Sequence, residues 1–257
     1  MKYPLSIIRR IKLYLLRRQL RRFDTWFHDI EVAPSIRTHS LGMNPGVNFM
    51  PIISRYPEYL WYRLTKYIPE SLEGAKSIDL GCSNGYMSLE LAKRGSTVIA
   101  IDISSRAIES LKFVAKHMSL DDRVKPRLLQ LDRPGWADEI IEDHYDIVIC
   151  SGLLYHLENP EIFIEELCRL DASIVVGETK ILHQAGINRA PSYPEALRIG
   201  TTLSLRELCT QFECQPSVRK FTTYDYILPE HLHWMNPLYA SLQNRVLFRA
   251  DLGSKEQ

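Results

Sequence analysis

Asp79, Gly81, Ser83, Gly85 and Asp102 are the residues whose types and spacing best suit chemistry on a small ligand. The first four lie in Ser77-Ile78-Asp79-Leu80-Gly81-Cys82-Ser83-Asn84-Gly85, a short apolar strand that ends in a tight glycine turn. A helical pattern opens at Tyr86, and a second apolar run, Thr97-Val98-Ile99-Ala100-Ile101, leads into Asp102. Glycines let the backbone approach a ligand with no Cβ in the way. A helix that begins there turns N–H groups toward the same space. An acid ending the second strand is placed to accept hydrogen bonds from ribose hydroxyls. The chemistry implied is the holding of a nucleoside cofactor at the carboxyl ends of parallel strands.

Two nucleotide classes are disfavoured. Counted from Gly81, the second and third glycines of a G-x-G-x-x-G dinucleotide fingerprint are replaced by Ser83 and Tyr86, and no Gly-Lys-Ser/Thr follows for a P-loop. The stretch resembles motif I of the class I S-adenosylmethionine (SAM) methyltransferases, an acid followed by Leu-Gly-Cys-x-x-Gly, with Ser83 in place of the common middle glycine. That resemblance implies SAM as cofactor. It implies roles for Asp79, Gly81, Cys82, Ser83 and Gly85 around the methionine part, for Asp102 and Ile103 at the ribose and adenine, and for Leu131 and Asp132 near the adenine amino group.

The elements that must position these residues alternate. Strands are expected over 76–80, 97–101, 124–131, 145–150 and 172–178, and helices over 85–94, 104–118, 135–142 and 159–170. Such alternation implies a parallel doubly wound sheet. Asn159-Pro160-Glu161 reads as a helix start with Asn159 as cap, and Ser204-Leu205-Arg206-Glu207 as a capping box. Runs 217–222 and 243–249 look like a closing strand pair. The resemblance implies a Rossmann-like, seven-stranded α/β sheet whose last strand is antiparallel. The expected organisation is an arm over 1–23, a lid and lead-in helix over 24–70 and a methyltransferase domain over 71–257.

The fourth strand, Tyr145-Asp146-Ile147-Val148-Ile149-Cys150, runs into Ser151-Gly152-Leu153-Leu154-Tyr155-His156. Within the class this is similar to the wobble-uridine tRNA carboxymethyltransferases and related methyltransferases. Trp26-Phe27-His28, Glu178-Thr179 and Arg245 fit the same subgroup. Where that subgroup carries a lysine for a carboxylated cofactor, this chain reads Tyr59-Leu60-Trp61-Tyr62-Arg63, which favours plain SAM. His156 is the first candidate for a base toward a hydroxyl acceptor, because an imidazole titrates near neutrality. It can equally be read as a structural histidine. Tyr155 packs on cofactor or acceptor in this reading, and Ser151 adds a contact to the cofactor. His28 and His39 are further catalytic candidates on a lid over 33–57, while Trp26, Arg37, Glu178 and Arg245 are candidates for holding the acceptor. The alternative for the lid is a structural cover for the sheet edge.

Five scattered cysteines form no C-x-x-C pair or metal-ligand spacing, so no metal is expected and a reducing cytoplasm suits them. Residues 1–22 hold eight basic and no acidic residues, which leaves 24 basic against 31 acidic residues in the remainder. Ile8, Ile11 and Leu15 share a helical face with Arg10, Arg17 and Arg21 opposite. The arm therefore reads as a helix docked on its own domain, as a peripheral contact with the inner membrane surface, or as a phosphate-gripping arm for tRNA. The acidic body favours a small-molecule, glycan or lipid-intermediate acceptor over a polyanion. A tRNA-modifying enzyme and a non-catalytic SAM-binding module are the competing readings.

Overall fold

The computed structural model describes residues 5–23, 26–38, 56–140, 144–182, 200–225 and 244–253. Helix α1 (Leu5–Leu20) leads to a small hairpin, β1 (Glu31–Ala33) and β2 (Ile36–Arg37). Helix α2 (Tyr56–Leu64) then tightens into a 3-10 turn at Thr65–Tyr67. The main sheet follows, with β3 (Lys76–Leu80), α3 (Tyr86–Lys93), β4 (Thr97–Asp102), α4 (Ser105–His117), β5 (Val124–Leu128) and β6 (Tyr145–Ser151). It closes with α5 (Pro160–Cys168), β7 (Ala172–Lys180), α6 (Leu205–Glu213), β8 (Val218–Asp225) and β9 (Arg245–Leu252).

Seven strands form one sheet in the order β5-β4-β3-β6-β7-β9-β8. The pairs from β5 to β7 are parallel, and β9 runs antiparallel to both β7 and β8. Strand order reverses between β3 and β6, and in open α/β sheets ligands sit beyond the carboxyl ends at such a switch. Both faces of the sheet are covered, so neighbouring strand residues point into different cores. Ile147 and Ile149 join Leu91, Leu111 and Leu64 on one side, whereas Val148 and Cys150 join Phe163, Leu167 and Phe212 on the other.

The capping box forms as expected, with the Ser204 hydroxyl accepting from the Glu207 N–H while the Glu207 carboxylate accepts from the Ser204 N–H. Three expectations need correction. Within the described part of the helix expected over 135–142, residues 135–140 form only a 3-10 turn at Ala137–Glu139, with Trp136, Ala137 and Ile140 buried and Asp138 and Glu139 exposed. Strand β5 stops at Leu128, so Leu131 and Asp132 stand in the loop beyond it. Asn159 makes no side-chain cap. Asn159 still occupies the N-cap position with Pro160 in the first turn, and Asp132 fixes the chain that enters the helix, its Oδ2 accepting from the Glu158 N–H at 2.8 Å and its Oδ1 from the Asn159 N–H at 3.3 Å.

Candidate cofactor and acceptor site

The turn after β3 is bent by residues in the left-handed region, where φ is +72° at Gly81, +49° at Ser83 and +84° at Gly85. The Gly81 and Cys82 N–H groups both donate to the Ile101 carbonyl, at 2.9 and 2.8 Å, and so lock the turn to the end of β4. A Cβ on Gly81 would stand 3.0 Å from Leu153 Cδ1, and one on Gly85 would collide with Leu111 Cδ1 at 2.2 Å. Gly85 is thus required for packing on α4 as well as for its φ.

Beneath the turn the structure departs from the expectation of free helix N–H groups. Tyr86 N–H donates to His28 Nδ1 at 3.4 Å, and both the Ser88 N–H and the Ser88 hydroxyl donate to Asp79, the hydroxyl to Oδ2 at 2.5 Å. Burial raises the Asp79 pKa to about 6, while bonds from the Ser88 hydroxyl and N–H pull it down. A carboxylate under the first turn of α3 disfavours a pyrophosphate there. Burial likewise raises the Cys82 and Cys150 thiols, so neither serves as a nucleophile.

Asp102 ends β4 with its Oδ2 accepting from the Ser83 N–H at 2.9 Å and its Oδ1 from the Ser104 N–H at 2.8 Å. Each carboxylate oxygen has a second lone pair, which suits the two hydroxyls of a ribose. Beside it Ile103 is 68% exposed, a bare apolar side chain at the position where a purine would lie. These residues fit a nucleoside cofactor. Leu131 instead belongs to the buried core, with Trp136 and Phe163.

A second group of residues meets at the ends of β6 and β7 and the start of β9. Glu178 is fully buried, and its Oε1 pairs with Arg245 Nη1 at 2.5 Å. Arg245 Nη2 donates to the Tyr155 hydroxyl at 3.2 Å, and the guanidinium lies over the Tyr155 and Tyr56 rings at 5.0 and 5.3 Å. Burial works against the Arg245 charge, but Glu178 with Tyr155 and Tyr56 more than offsets it and holds the pKa well above its ordinary value. Lys180 stands over the same Tyr155 ring at 5.1 Å, its pKa lowered by burial and then by Arg245. Glu178 Oε2, Arg245 Nε and Ser151 Oγ are buried and lack a hydrogen-bond partner among the described residues. Unsatisfied buried polar atoms at strand ends call for a ligand's own polar groups. His156 is exposed, its ring 4.3 Å from that of Tyr155.

The other candidates are engaged within the N-terminal segment. Arg37 pairs with Asp29 at 2.7 Å over the outer face of α3, and Trp26 packs on Phe23 while its Nε1 donates to the Leu20 carbonyl. His28 supports α3 from below. His39 and most of the lid expected over 33–57 lie outside the described residues. The sequence reading missed Asn84, whose Oδ1 accepts from the Phe27 N–H and whose Nδ2 donates to the Ser110 hydroxyl, both at 2.8 Å. Lys180 was missed too, although the two-residue period of a strand puts it on the same face as Glu178.

Burial without an acidic partner lowers the His28 pKa from 6.5 to about 4. The neutral ring is the folded form, so this contribution is complete above pH 6.5 and is lost as pH falls toward 4. With the ring partly solvated, the loss should be on the order of 2 kcal/mol. Denaturant melts of the native chain and of His28→Gln at pH 7.5 and 4.5 check this: the variant should lose less stability across the interval, and parallel losses would refute the assignment.

Residues 71–177 match a family model described as a methyltransferase domain. A ubiquinone biosynthesis O-methyltransferase of Schizosaccharomyces pombe is 35% identical over 94 residues, 37% of this chain and 33% of that protein. Another, from Alkalilimnicola ehrlichii, is 28% identical over 143 residues, 56% of this chain and 55% of the relative. The chain therefore spans between a third and just over half of these relatives. Among solved structures, the N-terminal domain of EvdMO1, determined with SAH and D-fucose, matches with a TM-score of 0.67 at 14% identity, covering 93% of this chain and 97% of that one. An S-adenosylmethionine dependent methyltransferase from Mesorhizobium loti gives a TM-score of 0.57 at 15% identity over 74% of this chain and 96% of its own. Residues 71–177 thus match a methyltransferase-domain model, and the seven-stranded fold is the one these solved structures share.

Proposed function

We propose that the chain is a SAM-dependent methyltransferase that methylates oxygen on a small-molecule, glycan or lipid-intermediate acceptor. The observation that carries this is the pairing of the Gly81–Gly85 turn and Asp102 with a set of unsatisfied polar atoms, Ser151 Oγ, Glu178 Oε2 and Arg245 Nε, at neighbouring strand ends. The first set suits a nucleoside and the second a polar acceptor beside it. The names of the matched relatives, which are O-methyltransferases of ubiquinone biosynthesis, and the SAH held by the EvdMO1 domain support the same reading.

SAM, when bound, supplies an activated methyl group on a sulfonium, so the protein's main task is to orient the acceptor. Asp102 would accept hydrogen bonds from the cofactor's ribose hydroxyls and Ile103 would offer its adenine an apolar surface. Glu178 Oε2 accepts a hydrogen bond from the acceptor, Arg245 Nε donates one, and Tyr155 is held rigid between Arg245 and Lys180. His156, exposed beside Tyr155, takes the proton of the acceptor hydroxyl. Titration calorimetry with SAM and with SAH, followed by labelled methyl transfer into small-molecule, lipid, glycan and tRNA fractions, tests the proposal. Micromolar binding with label in a small-molecule, lipid or glycan fraction supports it. Label in tRNA alone, or binding with no transfer, would replace it with one of the competing readings. For His156→Ala we expect unchanged SAM affinity and a transfer rate lower by roughly 10²–10⁴-fold, the usual worth of a positioned base. An undiminished rate would return His156 to a structural role.

A further inference from the structure

Helix α1 has two apolar faces, and only one of them meets the protein. Leu16 and Leu20 are buried in the core, with Leu13 packed against it. The attachment is reinforced by the Trp26 Nε1 bond to the Leu20 carbonyl, by Phe23 packed between Trp26 and Phe113 of α4, and by Arg17 Nη2 donating to the Ser35 carbonyl. The second face points the other way. At 100° per residue, Ile7, Ile8, Ile11, Tyr14 and Leu15 fall on the side opposite Leu13, Leu16 and Leu20. Their exposures run from 40% at Ile8 to 66% at Tyr14. The sequence reading in which the Ile8, Ile11 and Leu15 face docks on the domain is thereby reversed.

The borders of this stripe are cationic. Arg10, Arg17 and Arg21 line one flank and Lys12 the other, while Arg18 and Arg22 lie among the apolar residues; all are exposed. No acidic residue occurs in 1–22, and the remainder of the chain has an acidic excess. No described helix is long and apolar enough to cross a membrane. From this geometry we propose that α1 is a docking face for the surface of an anionic phospholipid bilayer, with its Ile/Tyr/Leu stripe in the headgroup boundary and its arginines on lipid phosphates. Long arginine stems lie along an apolar surface while their heads reach outward, which accommodates Arg18 within the stripe. The acidic body is repelled by such a surface while α1 is drawn to it, so charge also orients the molecule.

Charge and shape set this partner apart from two others. A helix built to grip RNA presents cations outward and has no use for five exposed apolar side chains. Two copies meeting stripe to stripe would bring Arg18, Arg22 and the arginine flanks together with no acid in the arm to offset them. An anionic lipid surface satisfies both the stripe and its borders.

The test is co-sedimentation of the full chain with vesicles of phosphatidylcholine alone and of phosphatidylcholine with about one-third phosphatidylglycerol. Binding should be at least about tenfold stronger to the anionic vesicles and should fall as salt is raised. Two surface variants separate the components: Ile8→Asn/Ile11→Asn/Leu15→Asn removes the stripe and keeps the charge, and Arg10→Gln/Lys12→Gln/Arg18→Gln does the reverse. Each should weaken vesicle binding by about tenfold or more, with unchanged circular dichroism and melting temperature. Absence of binding to anionic vesicles overturns the proposal. So does retention of binding by the Asn variant, which would make the arm a general polyanion site. A concentration-dependent dimer abolished by the Asn variant, with no vesicle binding, assigns the face to a second copy and also overturns it.

Discussion

Arg245→Met should be among the most damaging single substitutions in the chain, lowering stability by about 3–5 kcal/mol and the melting temperature by roughly 10 °C. The guanidinium is the ion-pair partner of a fully buried carboxylate, and Glu178 Oε2 already lacks a hydrogen-bond partner among the described residues. Without Arg245, Glu178 loses the cation hydrogen-bonded to its Oε1 and keeps only the longer-range field of Lys180, so its buried charge is driven toward taking up a proton. Replacing both members, as Glu178→Met/Arg245→Met, should recover most of the loss, because an apolar pair of similar volume incurs no desolvation penalty. Thermal melts of the two variants check this. A single variant as stable as the native chain would show that the pair is not sealed from water, and a double variant worse than the single would assign the effect to packing on Tyr56 and Tyr155.

Asp102→Asn should weaken SAM binding by about 10–100-fold, the worth of hydrogen bonds to a charged acceptor. Asparagine keeps one oxygen for the Ser83 or Ser104 N–H, so the turn should persist and the melting temperature should move far less than for Arg245→Met. Calorimetric titration at fixed pH provides the affinity and circular dichroism the fold. Unchanged affinity with an intact fold would count against the cofactor assignment as a whole, since Asp102 is the carboxylate at the end of β4 that bonds the turn through the Ser83 N–H.

Local signals were legible. The run from Ser77 to Gly85 and the apolar strand before Asp102 fix β3, α3 and β4 within a residue of their observed bounds, because glycine at positive φ and apolar runs are short-range features. The capping box at Ser204 is local too. What stayed hidden depends on partners far along the chain. Asp132 looks like a strand-end acid until Glu158 and Asn159, more than twenty residues on, take its carboxylate. His28 looks like a lid histidine until Tyr86 is folded over it. Residues 135–140 have the burial spacing of a helix yet form only a 3-10 turn at Ala137–Glu139, a difference that the apolar period does not register. In α1 two apolar stripes coexist, and no periodicity argument says which one the domain will choose.

Asn84 makes the cofactor turn answerable to the chain's N-terminal segment. One amide holds Phe27 on one side and Ser110 of α4 on the other, so the conformation of the turn and the seating of residues 26–28 are linked equilibria. Linkage of this kind is reciprocal. If a ligand bound more tightly to the turn when Phe27 is seated on Asn84, it would strengthen that seating by the same factor by which the seating strengthens its own binding. Through this one amide the Gly81–Gly85 turn, the N-terminal segment at Phe27 and α4 share a single point of attachment.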